Sequence, residues 1–119
     1  MNFGCEKEYN MKLGEDLLSV ALNSANAIEY VKGSVVSRQI IKGESGTITL
    51  FAFDKDQSLS EHTASFNAFV QVVDGRAEFI VGTKRVVAVK DEFIILPANV
   101  PHSVLAVERF KMILTMIKG

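Results

Sequence analysis

From residue 34 onward the chain consists of short runs rich in Val, Ile, Phe and Thr, cut by Gly, Asp, Asn and Pro. That texture restricts it to folds made of many short strands. The runs are VVSRQII (35–41), TITLFAF (47–53), AFVQVV (68–73), AEFIV (77–81), KRVVAV (84–89), EFIIL (92–96), HSVLAV (102–107) and RFKMILTMI (109–117). β-Branched and aromatic side chains fit a pleated, half-buried surface. Eight such segments predict an all-β sandwich or barrel rather than alternating strand and helix units.

The punctuation between the runs points the same way. Lys42 to Gly46 joins the first two runs with glycines free to take positive φ, Asp74-Gly75 reads as a hairpin, and Gly82-Thr83 suits a two-residue Gly-X hairpin. Pro97 and Pro101 bracket PANVP; proline has no N–H to give to a ladder, so this segment is predicted to be a loop at a sheet corner. Before residue 34 the pattern weakens. Leu13 to Asn23 is compatible with two helical turns or with an extended start, and Ser24 is placed to cap a short turn through Ile28. The expected organisation is an N-terminal arm, residues 1–33, packed on a barrel formed by residues 34–119.

A chain of 119 residues, 48% hydrophobic and 23% charged, is expected to fold as one domain with one core. Thirteen basic residues against fourteen acidic ones leave a net charge of −1, which offers neither a nucleic acid nor an anionic membrane an attractive field. No apolar run reaches the length of a membrane span. The lone Cys5 excludes an internal disulfide and has no positive cluster near it in sequence to activate its thiol. With no signal peptide in view, these features predict a cytoplasmic protein.

Chemistry enters with the two histidines, His62 and His102, forty positions apart. The segments that carry them, SEHTASFNAFVQVVDG and DEFIILPANVPH, resemble the two motifs of the cupin superfamily, the small jelly-roll β-barrels. The first family motif is G, five residues, H-x-H, three or four residues, E, six residues, G. His62 takes its first histidine, Ala64 and Ala68 stand where the second histidine and the glutamate would be, and Gly75 closes it. The second is G, five residues, P-x-G, two residues, H. Asp91 replaces its opening glycine, Pro97 matches, Asn99 replaces the inner glycine, and His102 matches. Residues 76–90 give the fifteen-residue spacing of the compact microbial members.

The resemblance implies a single-domain jelly-roll barrel with a degenerate metal-binding motif. The family set is three histidines and one glutamate, and a methyl group donates no electron pair, so His62 and His102 alone remain of it. Glu61 and Thr63 should turn to the opposite face of an extended segment, Gln71 has the wrong parity, and Asn67 lies in a bend from which it could reach inward. Replacing His and Glu by Ala64 and Ala68 makes the expected pocket more apolar; Phe53 and Met112 are candidates for its wall, with core packing as their alternative role.

Three readings follow. The first is a small-molecule-binding cupin, metal-free or metal-poor, in which His62 and His102 are the polar contacts of an apolar barrel cavity. The second is a metal-dependent enzyme of the dioxygenase or isomerase type, holding a divalent transition metal through His62 and His102 plus donors outside the motif. The third is a ligand-sensing module, against which stands the lack of a DNA-binding helix pair. The resemblance also implies a homodimer, since pairing through sheet edges or faces would cover exposed strands.

Overall fold

The structure is a computed structural model and describes residues 17–118. It contains eight strands: β1 (Val35–Gly43), β2 (Gly46–Phe53), β3 (Ser58–His62), β4 (Ala68–Val81), β5 (Lys84–Val89), β6 (Phe93–Leu96), β7 (His102–Leu105) and β8 (Phe110–Ile117). Every pairing is antiparallel, and the long β4 belongs to two sheets. Its first half pairs with β8 and β6, completing a larger sheet β1-β2-β8-β4-β6; its second half pairs with β5 and β7, completing a smaller sheet β5-β4-β7-β3. The result is a curled antiparallel jelly roll: the strand texture implies a sandwich or barrel, and the resemblance implies this form of it.

Period-two alternation decides what fills the interior. Phe51 and Phe53 of β2, Val70, Val72 and Phe79 of β4, and Phe110, Met112 and Leu114 of β8 are all buried in one apolar cluster. Phe53 stacks on Phe110 with ring centroids 4.4 Å apart. Lys84 and Val81 close the β4–β5 hairpin around Gly82-Thr83, with Gly82 at φ +63° as a Gly-X turn requires. PANVP is a loop, as its prolines demand.

Asp74-Gly75 is not a hairpin. Residues 68–73 and 77–81 form a single strand, because its two halves find their partners in different sheets instead of in each other. A register shift between Val72 and Asp74 bends β4 here. Gly75 has φ +74°, and a Cβ on it would lie 1.9 Å from the Arg109 carbonyl oxygen, so the glycine serves a corner pressed against the start of β8. The glycines of the first turn also act differently from expectation. Neither Gly43 nor Gly46 has positive φ; Gly46 is required by proximity, since its Cβ would meet the Met116 carbonyl oxygen at 2.2 Å.

Of the stretch Leu13 to Asn23, residues 13–16 lie outside the described residues, as does Cys5, and residues 20–23 are not helical. The following 3-10 turn, Ser24–Asn26, is capped by Asn23 rather than Ser24: the Asn23 side-chain oxygen accepts from the Ala25 N–H at 3.0 Å. Residues 27–31 then pack on the outer face of the larger sheet, where Ile28 joins Val36, Leu50 and Ala52 in a second apolar cluster. Three polar links tie this segment down. Lys111 Nζ donates to the Ala25 carbonyl at 2.5 Å, Arg38 to the Ala27 carbonyl at 2.9 Å, and the Tyr30 hydroxyl to Asp74 at 2.5 Å. Burial, reinforced by Asp74, holds the Tyr30 hydroxyl above its usual range, so it remains a donor.

Candidate functional site

His62 is the last residue of β3 and His102 the first of β7, and the two are directly paired across the smaller sheet. Leu59, paired with Val104, is buried, and three positions separate it from His62, so in a regular strand the two would face opposite sides. A register shift between Leu59 and His62 inserts one extra residue opposite β7 and turns His62 to the interior side. Glu61 and Thr63 are exposed, as alternation around His62 predicts.

The rings lie edge to face, with centroids 4.4 Å apart and planes inclined by 70°. Each is oriented by a backbone carbonyl two residues before it: His62 Nδ1 lies 2.8 Å from the Ser60 oxygen and His102 Nδ1 lies 3.2 Å from the Val100 oxygen. A carbonyl can only accept, so both Nδ1 atoms carry the hydrogen, and each neutral ring has its lone pair on Nε2. His102 is 2% exposed and its Nε2 is buried without a hydrogen-bond partner, which is costly unless something else uses it. Burial holds the His102 pKa below the ordinary 6.5; the Val100 carbonyl opposes this and proximity to His62 adds to it. His62, by contrast, is only half-buried, so the pair runs from the surface toward the core.

Two loops are stitched together beside the rings. The Asn99 N–H donates to the Ala64 carbonyl and the Ala98 N–H to the Asn67 side-chain oxygen, both at 2.8 Å. Asn67 thus fastens PANVP. Its side-chain oxygen is committed to a backbone donor, and the residue is exposed. Asn99 and Asp91, which replace the motif glycines, have φ +62° and +74°. Both therefore occupy the left-handed region, which Asn and Asp enter more readily than other side chains. The sequence departs from the motif in residue type, and at both positions this chain takes a backbone conformation that glycine adopts freely.

Ala68, Phe53 and Met112 are all buried in the main apolar cluster, and Ala64 packs against it. Leu59 and Val104, strand neighbours of the two histidines, belong to the same cluster, and Val81, which pairs with His102, packs against it. The imidazoles are thus polar groups set into an apolar wall. Gln71 lies elsewhere, lining a hollow with Asn23, Ala25 and Asp91 on the other side of β4. The residues invisible to sequence reasoning are Ser60 and Val100, whose contribution is a carbonyl and leaves no mark in residue type.

Among the described residues no three His, Cys, Asp or Glu side chains converge as a metal group requires. Two imidazoles fall short of the three protein ligands usual at a catalytic cation, so the described donor set does not by itself fit one. Their Nε2 lone pairs are still of the kind that binds a cation or accepts a ligand hydrogen.

A family model described as "Cupin domain" matches residues 49–118, the span that contains both histidines. Among solved structures, the chain is similar to a conserved protein of unknown function from Streptococcus pyogenes, with 25% identity and a TM-score of 0.84 over 92% of this chain and 97% of that one. It is 38% identical to a Cupin 2 conserved barrel domain protein from Leptotrichia buccalis, with a TM-score of 0.77 over 79% of this chain, and spans about half, 46%, of that protein. A cupin superfamily protein from Desulfitobacterium hafniense shares the fold at 23% identity and a TM-score of 0.81, over 85% of this chain and 93% of that one. No curated protein matches. The matched family model covers more than half of the chain, including the paired histidines and the left-handed loop positions, and this protein belongs to the cupin family.

Proposed function

We propose that this cupin domain binds a small, largely apolar molecule bearing a weakly acidic hydroxyl, such as an enol or a phenol, through His62 and His102. The observation that carries the reading is the buried His102 Nε2 without a protein partner, next to a second imidazole. With its pKa lowered by burial, His102 is neutral at pH 7 and its Nε2 is an acceptor, so the complementary group on a ligand is an O–H. A proton taken from that hydroxyl would leave an imidazolium beside an oxyanion, stabilised by the Val100 carbonyl on the opposite nitrogen. The half-buried His62 supplies the second polar contact. Alanines at positions 64 and 68 carry no charge and belong to an apolar surrounding, which favours an apolar body over a polyanion.

The reading is tested by calorimetric titration of the wild type with a panel of small phenols and enols, and of His102→Ala with any binder found. Binding that disappears in the variant supports it; a panel member bound equally by both refutes it.

The same Nε2 favours a second reading, in which the two histidines hold a divalent transition metal together with solvent or substrate oxygens. Elemental analysis of protein purified without chelator separates the two: about one equivalent of cation per chain, lost in His102→Ala, supports the metal.

A further inference from the structure

We infer that Asn67 is a positioning residue for His102: by fastening the PANVP loop, its side chain fixes which ring nitrogen carries the hydrogen and where the Nε2 lone pair points. The inference rests on the proposed binding reading in one respect, that Nε2 of His102 is the working atom.

The need for such a residue begins at the end of a ladder. β4 and β6 pair as far as Ala68 and Leu96. Pro97 comes next and has no N–H, so the ladder stops and the Ala98 N–H must find another acceptor. Asn67, the residue just before β4, supplies it: its side-chain oxygen accepts that hydrogen at 2.8 Å.

The two histidines differ in what holds their orienting carbonyls. Ser60, whose oxygen faces His62 Nδ1, lies inside β3 and is held by the strand. Val100, whose oxygen lies 3.2 Å from His102 Nδ1, belongs to the loop between β6 and β7. A carbonyl in a loop keeps its direction only if the loop is fixed on both sides of it. After Val100, the Pro101 carbonyl accepts from the Gly82 N–H at 2.7 Å; before it, the Asn99 N–H donates to the Ala64 carbonyl and the Ala98 N–H to Asn67. The first two bonds join backbone to backbone and do not depend on residue type. Among the described residues only the third passes through a side chain, so it is the one that a substitution can remove.

Asn67 also joins the two halves of the site. It follows His62 by five positions, and the donor it holds precedes His102 by four, so the segment leaving one imidazole is tied to the segment entering the other. The chemical consequence is a choice of tautomer. With the Val100 carbonyl in place, the hydrogen of neutral His102 sits on Nδ1 and Nε2 is an acceptor. When the loop shifts, that carbonyl leaves the ring and the hydrogen divides between the two nitrogens. The fraction with hydrogen on Nε2 then offers a ligand hydroxyl a donor in place of an acceptor. Asn67 acts on binding through that fraction.

Nitrogen-15 NMR of the histidine rings in the ligand-free full chain, at about pH 8 where imidazole is neutral, tests the inference. Asn67→Ala removes the acceptor, Asn67→Asp keeps an oxygen in the same place, and Val36→Ala loosens the outer apolar cluster away from the loop. We expect the share of His102 with hydrogen on Nε2 to rise about fivefold in Asn67→Ala, the effect of losing one hydrogen bond, and to stay at the wild-type value in the other two. A wild-type tautomer in Asn67→Ala overturns the inference. So does an equal change in Val36→Ala, which would make it a general effect of lost stability, or a change in Asn67→Asp as large as in Asn67→Ala, which would place the role outside the acceptor. If Asn67→Ala does not fold, Asn67→Leu, which fills the space without an acceptor, takes its place with the same outcomes. The readout needs no bound molecule. A failure of the binding reading, seen as a phenol that binds His102→Ala as well as the wild type, is therefore told apart from a failure of this one.

Discussion

His62 and His102, forty positions apart in the chain, face each other across two paired strands with their ring centroids 4.4 Å apart. The arrangement has an electrostatic consequence. Two imidazoles this close cannot both be charged cheaply, and the inner one is also buried, so protonation works against the fold.

Stability should therefore depend on pH through His102. Its folded pKa lies below the ordinary 6.5, so between those two values the unfolded chain binds more protons than the folded one. Stability rises with pH through that window, is complete above about 6.5, and falls on acidification until the folded ring is protonated too. The slope is at most about 1.4 kcal/mol per pH unit for one group. Urea melts of the wild type and His102→Gln at pH values from 5 to 8 check this; the variant should lose the slope below 6.5.

Asn99 holds a left-handed backbone and donates its N–H to the Ala64 carbonyl. Asn99→Gly should stay within roughly 1 kcal/mol of the wild type, because the backbone bond survives and glycine takes this φ freely. Asn99→Val should cost about 1–2 kcal/mol or more, since a β-branched side chain resists the same φ. Chemical denaturation gives both numbers.

Much of the architecture is readable in the residues. Val-, Ile- and Phe-rich runs mark most of the strands, Gly82-Thr83 marks a hairpin, and the prolines of PANVP mark a loop. Asp74-Gly75 misleads because the same dipeptide serves a strand corner as well as a reversal. Only the partners of residues 68–73 and 77–81, which are distant in sequence, decide between the two. β3 is hard to read for a related reason: SLSEH has one large apolar residue, Leu59, and the register shift before His62 breaks the parity that would otherwise predict its direction. At the site, the resemblance to the cupin motifs brings the two histidines together in expectation, while their orientation depends on carbonyls that residue type does not encode.

Gly75 provides a test of the corner. Any side chain there meets the Arg109 carbonyl at 1.9 Å, a backbone atom that cannot move without displacing the start of β8. Gly75→Ala should lose clearly more than the ~1–2 kcal/mol of left-handed strain alone. The loss is expected as a lowered denaturation midpoint with an unchanged slope; a variant as stable as the wild type would show that β4 bends elsewhere.

The most direct test of the paired-imidazole site is nitrogen-15 NMR of the histidine rings, with and without the best-bound phenol or enol. The account predicts hydrogen on Nδ1 in both neutral rings and, on binding, a large shift of His102 Nε2 with a smaller one at His62. Hydrogen on Nε2 of His102, or a bound molecule that leaves both Nε2 signals where they were, would contradict it.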